Sequence, residues 1–149
     1  ASGTRAEGAS CPKMGKEKCV SCDAGYHVND AGVCEVNSCS CSDGVAASGT
    51  DCDKHNEHKC ASCDAGYQLI DKKCTFKVCK CSNGVKAEGE DCRCHNCKTC
   101  KSCDAGYRLK ASGKDQVCRV NSCSCSNGVA ATGASCKTHN SNTCASCNS

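Results

Sequence analysis

The sequence predicts a small disulfide-rich fold: a tandem array of short β-hairpins and loops, with little helix and an elongated, rod-like form. Three observations predict it. Of 149 residues, 23 are Cys, far above the level at which a short chain reads as a disulfide scaffold. Apolar bulk is scarce, with one Phe, three Tyr and no Trp. And the cysteine spacings repeat along the chain, the signature of an array of like units.

The cysteines are needed because the rest of the chain buries too little. Ordering costs roughly 1.5 kcal/mol per residue, which so few large side chains cannot offset. A disulfide contributes about 2–4 kcal/mol, chiefly by constraining the unfolded chain. Disulfides persist in oxidising compartments, so the expected location is extracellular or at the cell surface. The net charge of +3 is small and both signs are interleaved, which leaves no basic stripe for nucleic acid. The run Pro12-Lys13-Met14-Gly15-Lys16-Glu17-Lys18 is broken by Gly and Glu and reads as a solvated loop. No apolar run approaches the ~20 residues of a membrane span. Without an initiator Met or a signal peptide, Ala1 reads as the start of a processed chain or an excised segment.

The first pass of the repeat runs Cys11, Cys19, Cys22, Cys34, Cys39, Cys41, with gaps of seven, two, eleven, four and one residues. Ten residues later Cys52 restarts it, through Cys60, Cys63, Cys74, Cys79 and Cys81. The third pass is Cys92, Cys100, Cys103, Cys118, Cys123, Cys125, and a fourth begins at Cys136, Cys144, Cys147. Only the gap after Cys22, Cys63 and Cys103 varies, at eleven, ten and fourteen residues. Length variation confined to one place marks an exposed loop tip. Cys94 and Cys97 are extra cysteines gained together two residues apart, and are expected to pair with each other.

Other positions recur with the cysteines. Ser21-Cys22-Asp23-Ala24-Gly25-Tyr26 returns at 62–67 and 102–107. Its Asp-Ala-Gly reads as a turn whose Gly takes a positive φ, with the following Tyr placed to cover a disulfide. Ser42-Asp43-Gly44, Ser82-Asn83-Gly84 and Ser126-Asn127-Gly128 read as tight hairpin turns. Two small hairpins per unit follow.

Connectivity stays open on spacing alone, since six cysteines allow fifteen pairings. Cys39 and Cys41 sit too close to bridge each other comfortably, so each needs another partner. Cys-x-Cys, about ten residues, then Cys resembles the C-terminal half of an epidermal growth factor module. More loosely, the units resemble growth-factor-like and furin-like repeats. Cys-x-Cys-x-Asn-Gly and Cys-x-Ser-Cys-x-x-Gly-Tyr also look like repeats in surface and secreted proteins of protists and algae. The first two cysteines are closer together here than in most such modules. The resemblance implies a partial unit over 1–18, repeats over 19–52, 53–92 and 93–136, and a partial unit over 137–149. The family pairs first with third, second with fourth and fifth with sixth. Carried over, that implies Cys19–Cys34, Cys22–Cys39, Cys41–Cys52, Cys60–Cys74, Cys63–Cys79, Cys81–Cys92, Cys100–Cys118, Cys103–Cys123 and Cys125–Cys136, beside Cys94–Cys97. Cys11, Cys144 and Cys147 are then unpaired or intermolecular. A competing scheme joins Cys11–Cys22 and Cys19–Cys34 but strands every Cys-x-Cys pair. An odd cysteine count cannot close within one chain. A free thiol, a bond between like cysteines, a bond to another molecule, or excision from a longer array would each resolve it.

The stretch Cys92-Arg93-Cys94-His95-Asn96-Cys97-Lys98-Thr99-Cys100 resembles a metallothionein or a zinc cluster, yet its setting among hairpin signals favours bridges, and no metal or other cofactor is assigned. His55, His95 and His139 share one repeat position, each followed by Asn. A recurring turn explains them better than a ligand role, since the first pass has Met14 there. The acidic cluster of calcium-binding growth-factor modules is missing from Ala6-Glu7-Gly8 and Ala47-Ser48-Gly49. No nucleophile elbow, carboxylate pair or phosphate loop assembles, so no catalytic residue is assigned and an enzyme is not expected. Asn37, Asn121 and Asn142 stand in the rarer Asn-x-Cys form of glycan acceptor. The expected role is an extracellular structural protein, the building block of a fibre, coat or matrix, with self-association, other extracellular proteins or glycans as partners. The alternatives are an adhesion or ligand-binding module, with contacts on loops 23–33, 64–73 and 104–117, and metallothionein-like metal sequestration.

Overall fold

A computed structural model describes residues 4–5 and 19–148. Cys11, the Lys-rich loop and most of the expected partial unit 1–18 lie outside the described residues. The chain divides into two compact units, residues 1–75 and 76–149.

Each unit is built of two-stranded antiparallel ribbons. In the first, β1 (Thr4–Arg5) pairs with β2 (Cys19–Ser21), β3 (Tyr26–Val28) with β4 (Cys34–Val36), β5 (Gly44–Ala46) with β6 (Cys60–Cys63), and β7 (Tyr67–Ile70) with β8 (Lys73–Phe76). In the second, β9 (Gly84–Lys86) pairs with β10 (Cys100–Cys103), β11 (Tyr107–Ser112) with β12 (Asp115–Val120), and β13 (Gly128–Ala130) with β14 (Cys144–Cys147). Three single 3-10 turns, at Gly49–Asp51, Gly89–Asp91 and Gly133–Ser135, are the only helical elements among the described residues. The small disulfide-rich hairpin architecture is therefore the one the sequence predicts.

The hairpins are not all where the turn signals place them. Asp43 and Asn83 do take positive φ, both at 62°, but each leads into a strand rather than closing a two-residue hairpin. The strand then pairs across a long loop: Gly44↔Cys63, Val45↔Ser62 and Ala46↔Cys60, with an irregularity after Val45. The same register recurs at Gly84↔Cys103 and Gly128↔Cys147. Gly is required there because a Cβ on Gly44 would lie 2.1 Å from the Ser62 carbonyl oxygen. The Asp-Ala-Gly turn behaves as expected, with φ near 85° at Gly25, Gly66 and Gly106. The variable gap is the tip of a hairpin, extended in β11–β12 to six paired residues per strand.

The core consists of sulfur, alanine and asparagine. Cys52, Cys92, Cys100 and Cys136 are fully buried, flanked by Ala47, Ala87 and Ala131. Asn37 and Asn121 join them, each donating its side-chain amide to the carbonyl of Cys52 or Cys136, at 2.9 and 3.0 Å. The valines face outward: Val45, Val85 and Val129 are each about 60% exposed. With so little hydrocarbon buried, the bridges carry the stability.

Like repeats dock within each unit through one recurring junction. The backbone N–H of Asn37 donates to the Gly25 carbonyl, and that of Gly49 donates to the Asn37 carbonyl. Asn121 repeats this with Gly106 and Gly133. The Asp-Ala-Gly turn of one repeat thus lies against the 3-10 turn of the next.

Candidate functional site

The disulfides are the densest chemistry in the molecule, and their connectivity corrects the pairing implied by family resemblance. The bridges are Cys22–Cys34, Cys39–Cys52, Cys41–Cys60, Cys63–Cys74, Cys79–Cys92, Cys81–Cys100, Cys94–Cys97, Cys103–Cys118, Cys123–Cys136 and Cys125–Cys144. Cys94–Cys97 is the expected pair that is present. Cys19–Cys34, Cys22–Cys39, Cys41–Cys52, Cys60–Cys74, Cys63–Cys79, Cys81–Cys92, Cys100–Cys118, Cys103–Cys123 and Cys125–Cys136 are not formed. The competing Cys11–Cys22 and Cys19–Cys34 are excluded by Cys22–Cys34.

The physical reason is strand pairing. The β5–β6 ladder brings Cys60 alongside Cys41, with Cα atoms 5.0 Å apart. The 3-10 turn at Gly49–Asp51 directs Cys52 back toward Cys39, whose N–H donates to Ala47. Cys63–Cys74 then closes the base of β7–β8. Counted from Cys39, the order is first–third, second–fourth and fifth–sixth, so the pairing rule holds in a frame three cysteines along. Cys41–Cys60, Cys81–Cys100 and Cys125–Cys144 cross the expected boundaries at 52/53, 92/93 and 136/137.

Cys144, expected to be unpaired or intermolecular, is bridged to Cys125. Cys19 is a buried free thiol and Cys147 an exposed one. Cys19 occupies the position that Cys60, Cys100 and Cys144 hold as bridged residues.

Two three-sulfur groups, Cys41/Cys60/Cys74 and Cys81/Cys100/Cys118, have their sulfur atoms within 4.8 Å of one another. Each is a pair of adjacent disulfides, with 4.0 Å between the Cys41 and Cys74 sulfurs. Sulfurs already bonded in pairs offer no thiolate, so metal binding by these groups requires reduction first.

The repeated histidines stabilise turns. His55 and His139 accept at Nδ1 from the backbone N–H of Ser38 and Ser122, each at 3.2 Å. His95 accepts likewise from Val78 at 3.3 Å, and its Nδ1 also lies 3.2 Å from the Phe76 carbonyl oxygen. His27 stacks on His55 with ring centroids 3.7 Å apart.

Tyr26 is 40% exposed. At Tyr67 the nearby Asp43 carboxylate opposes ionisation of the phenol, with a little burial and Asp64 acting the same way, and pushes its pKa up. Asp53 is held below the usual carboxylate range by hydrogen bonding and attraction from Lys59, which approaches to 2.9 Å, and by Lys72.

Asn37 and Asn121 stand in the Asn-x-Cys form, but burial with an engaged amide removes both from a glycan-acceptor role in the folded chain. Asn142 is exposed. Their structural role was signalled by Val-Asn-Ser-Cys at 36–39 and 120–123.

One concavity, about 440 Å³, lies in the second unit. Lys80, Lys98 and Arg119 line it beside Ser82, Asn83 and the Cys81–Cys100 bridge, and no acidic residue does. The counterpart positions of the preceding repeat hold Ser40, His58 and Thr75, so its basic character belongs to one repeat. Spacing patterns do not show it, since its cations come from three separate segments.

No protein-family model matches the chain, and neither curated proteins nor solved structures yield a match. The heavy disulfide bonding suits an extracellular structural or binding module. No helix among the described residues is long and apolar enough to cross a membrane.

Proposed function

We propose that this chain is an extracellular structural repeat protein, a unit of a fibre, coat or matrix, of the growth-factor-like and furin-like class that its motifs resemble. The recurring junction carries the reading: Gly25 with Asn37 and Gly49, and again Gly106 with Asn121 and Gly133. One contact used repeatedly suits a protein that stacks like units, in which each repeat interacts with its neighbours. Nothing in this reading needs catalysis. Electron microscopy and sedimentation of natively oxidised protein test it. Filaments or discrete higher assemblies are expected, and a strict monomer at millimolar concentration contradicts it.

The basic concavity supports a second reading, an adhesion module for an acidic glycan. Three cations without a neighbouring carboxylate favour a polyanion. In this reading Lys80→Ser, Lys98→His and Arg119→Thr, which install the residues of the preceding repeat, abolish retention on a sulfated glycan column. Unchanged retention contradicts it.

A further inference from the structure

We propose that Cys94–Cys97 is a thiol–disulfide exchange site, distinct from the nine bridges that hold the fold, and that its reaction partner is a dithiol. The inference goes beyond the structural role proposed above and does not depend on it.

The first observation is that its loop does not need the bridge. In the equivalent loops, which lack these cysteines, the Glu57 N–H donates to the Lys54 carbonyl at 3.1 Å and the Ser141 N–H to Thr138 at 3.2 Å. In the bridged loop the Cys97 N–H donates to Cys94 at 3.1 Å. The intervening Asn56, Asn96 and Asn140 have φ of 63°, 65° and 64°. The backbone is the same with and without the disulfide. The bridge also spans three residues, against eleven to nineteen for the others, so it constrains the unfolded chain least. Opening it leaves the unit folded.

The second observation is chemical. The Arg93 guanidinium lies 3.8 Å from the Cys97 sulfur and 3.9 Å from the Asp115 carboxylate, which orients it. A cation beside one sulfur stabilises the negative charge that develops as that sulfur leaves. Cys94 and Cys97 are half-buried residues, with Cys97 packed on the cluster of Cys79, Ala87 and Cys92, whereas Cys79 and Cys92 themselves are buried. Access and a stabilised leaving group are what exchange requires.

The step balances as follows. A thiolate of the partner dithiol attacks the Cys94 sulfur, the Cys94–Cys97 bond breaks, and Cys97 departs as a thiolate beside Arg93. The partner's second thiolate attacks its own sulfur in the mixed disulfide and releases Cys94. The protein gains two electrons and two protons, and the partner becomes a disulfide.

The test uses the full oxidised chain without denaturant. Free thiols, Cys147 among them, are blocked with one alkylating reagent. The protein then meets graded dithiothreitol, and newly exposed thiols take a second, isotopically distinct reagent before peptide mapping. Cys94 and Cys97 are expected to take the second label together, at a reductant level at least tenfold below that opening Cys79–Cys92 or Cys81–Cys100, with the circular dichroism unchanged. Arg93→Ala is expected to slow opening several-fold, and Arg93→Lys to restore most of the rate. Opening in concert with the other bridges, loss of the folded spectrum, or an Arg93→Ala rate equal to wild type overturns the proposal. The Cys94→Ser/Cys97→Ser variant is an independent check: a folded chain with nine bridges is expected, and an unfolded one refutes dispensability.

Discussion

Removing the Cys79–Cys92 bridge should be among the most damaging single changes to the second unit, and the structure sets its size. The bridge spans 13 residues. Closing a loop of that length removes denatured-state entropy equivalent to about 3 kcal/mol at 25 °C. Both cysteines are buried, at 2% and 0% exposure, against Ala87 at 1%, so replacement by Ala also forfeits sulfur contacts worth about 1 kcal/mol. A loss of about 4 kcal/mol corresponds to roughly 8–16 °C in Tm for a chain of this size. The control is Cys94→Ala/Cys97→Ala. Its bridge spans three residues, which gives at most about 2 kcal/mol by the same treatment, and its loop keeps its conformation without it. Differential scanning calorimetry of the full-length variants, with thiol content checked by mass, reads both. Cys79→Ala/Cys92→Ala melting within 3 °C of the control would refute the division between structural and dispensable bridges.

Three further outcomes follow from particular contacts. Gly106→Ala should cost about 2–4 kcal/mol, because φ is 86° and the added Cβ would lie 2.3 Å from the Ala134 backbone nitrogen. Gly113→Ala, with φ of 63° and nothing within 4 Å, should cost only about 1 kcal/mol, and chemical denaturation separates the two. Asn121→Ala strands the buried Cys136 carbonyl that its amide satisfies at 3.0 Å, a loss of about 1–3 kcal/mol, visible as early exchange of the Gly133 and Cys136 amides. Tyr67 should ionise above the ordinary tyrosine range because Asp43 disfavours the phenolate. Since the folded state holds that proton more tightly, the associated stability is present below the ordinary tyrosine pKa and is lost as pH rises through the raised one. Asp43→Asn, a residue the same φ accepts at Asn83, should move the ultraviolet titration back toward the ordinary range, leaving the smaller effects of burial and Asp64.

What the sequence makes legible here is the chemistry that depends on local pattern. The repeat, the fold class, the αL turn at Gly25, Gly66 and Gly106 and the Cys94–Cys97 pair all follow from residues close in sequence, whereas the histidines bond backbone 17 residues away. The bridge connectivity does not, and the reason is specific. A periodic cysteine pattern has no intrinsic starting point, so a pairing rule applies equally well from Cys19 or from Cys39. The frame is fixed by β5–β6, a ladder across a long loop that the Asp43-Gly44 signal obscures by imitating a tight hairpin. Asn37 and Asn121 were legible as a repeated Val-Asn-Ser-Cys, yet their amides are committed to carbonyls fifteen residues away. The basic concavity and the Arg93–Asp115 pair depend on side chains from separate segments that meet only after folding.

The most direct test of the account is the disulfide map of the native protein, obtained by partial reduction and alkylation at acidic pH, where exchange is suppressed, followed by mass spectrometry. The expected map has Cys39–Cys52 with Cys41–Cys60, and Cys79–Cys92 with Cys81–Cys100, leaving Cys147 open to alkylation. Recovery of Cys41–Cys52 and Cys81–Cys92 instead would contradict it, since the strand pairing that frames the repeat would then be wrong.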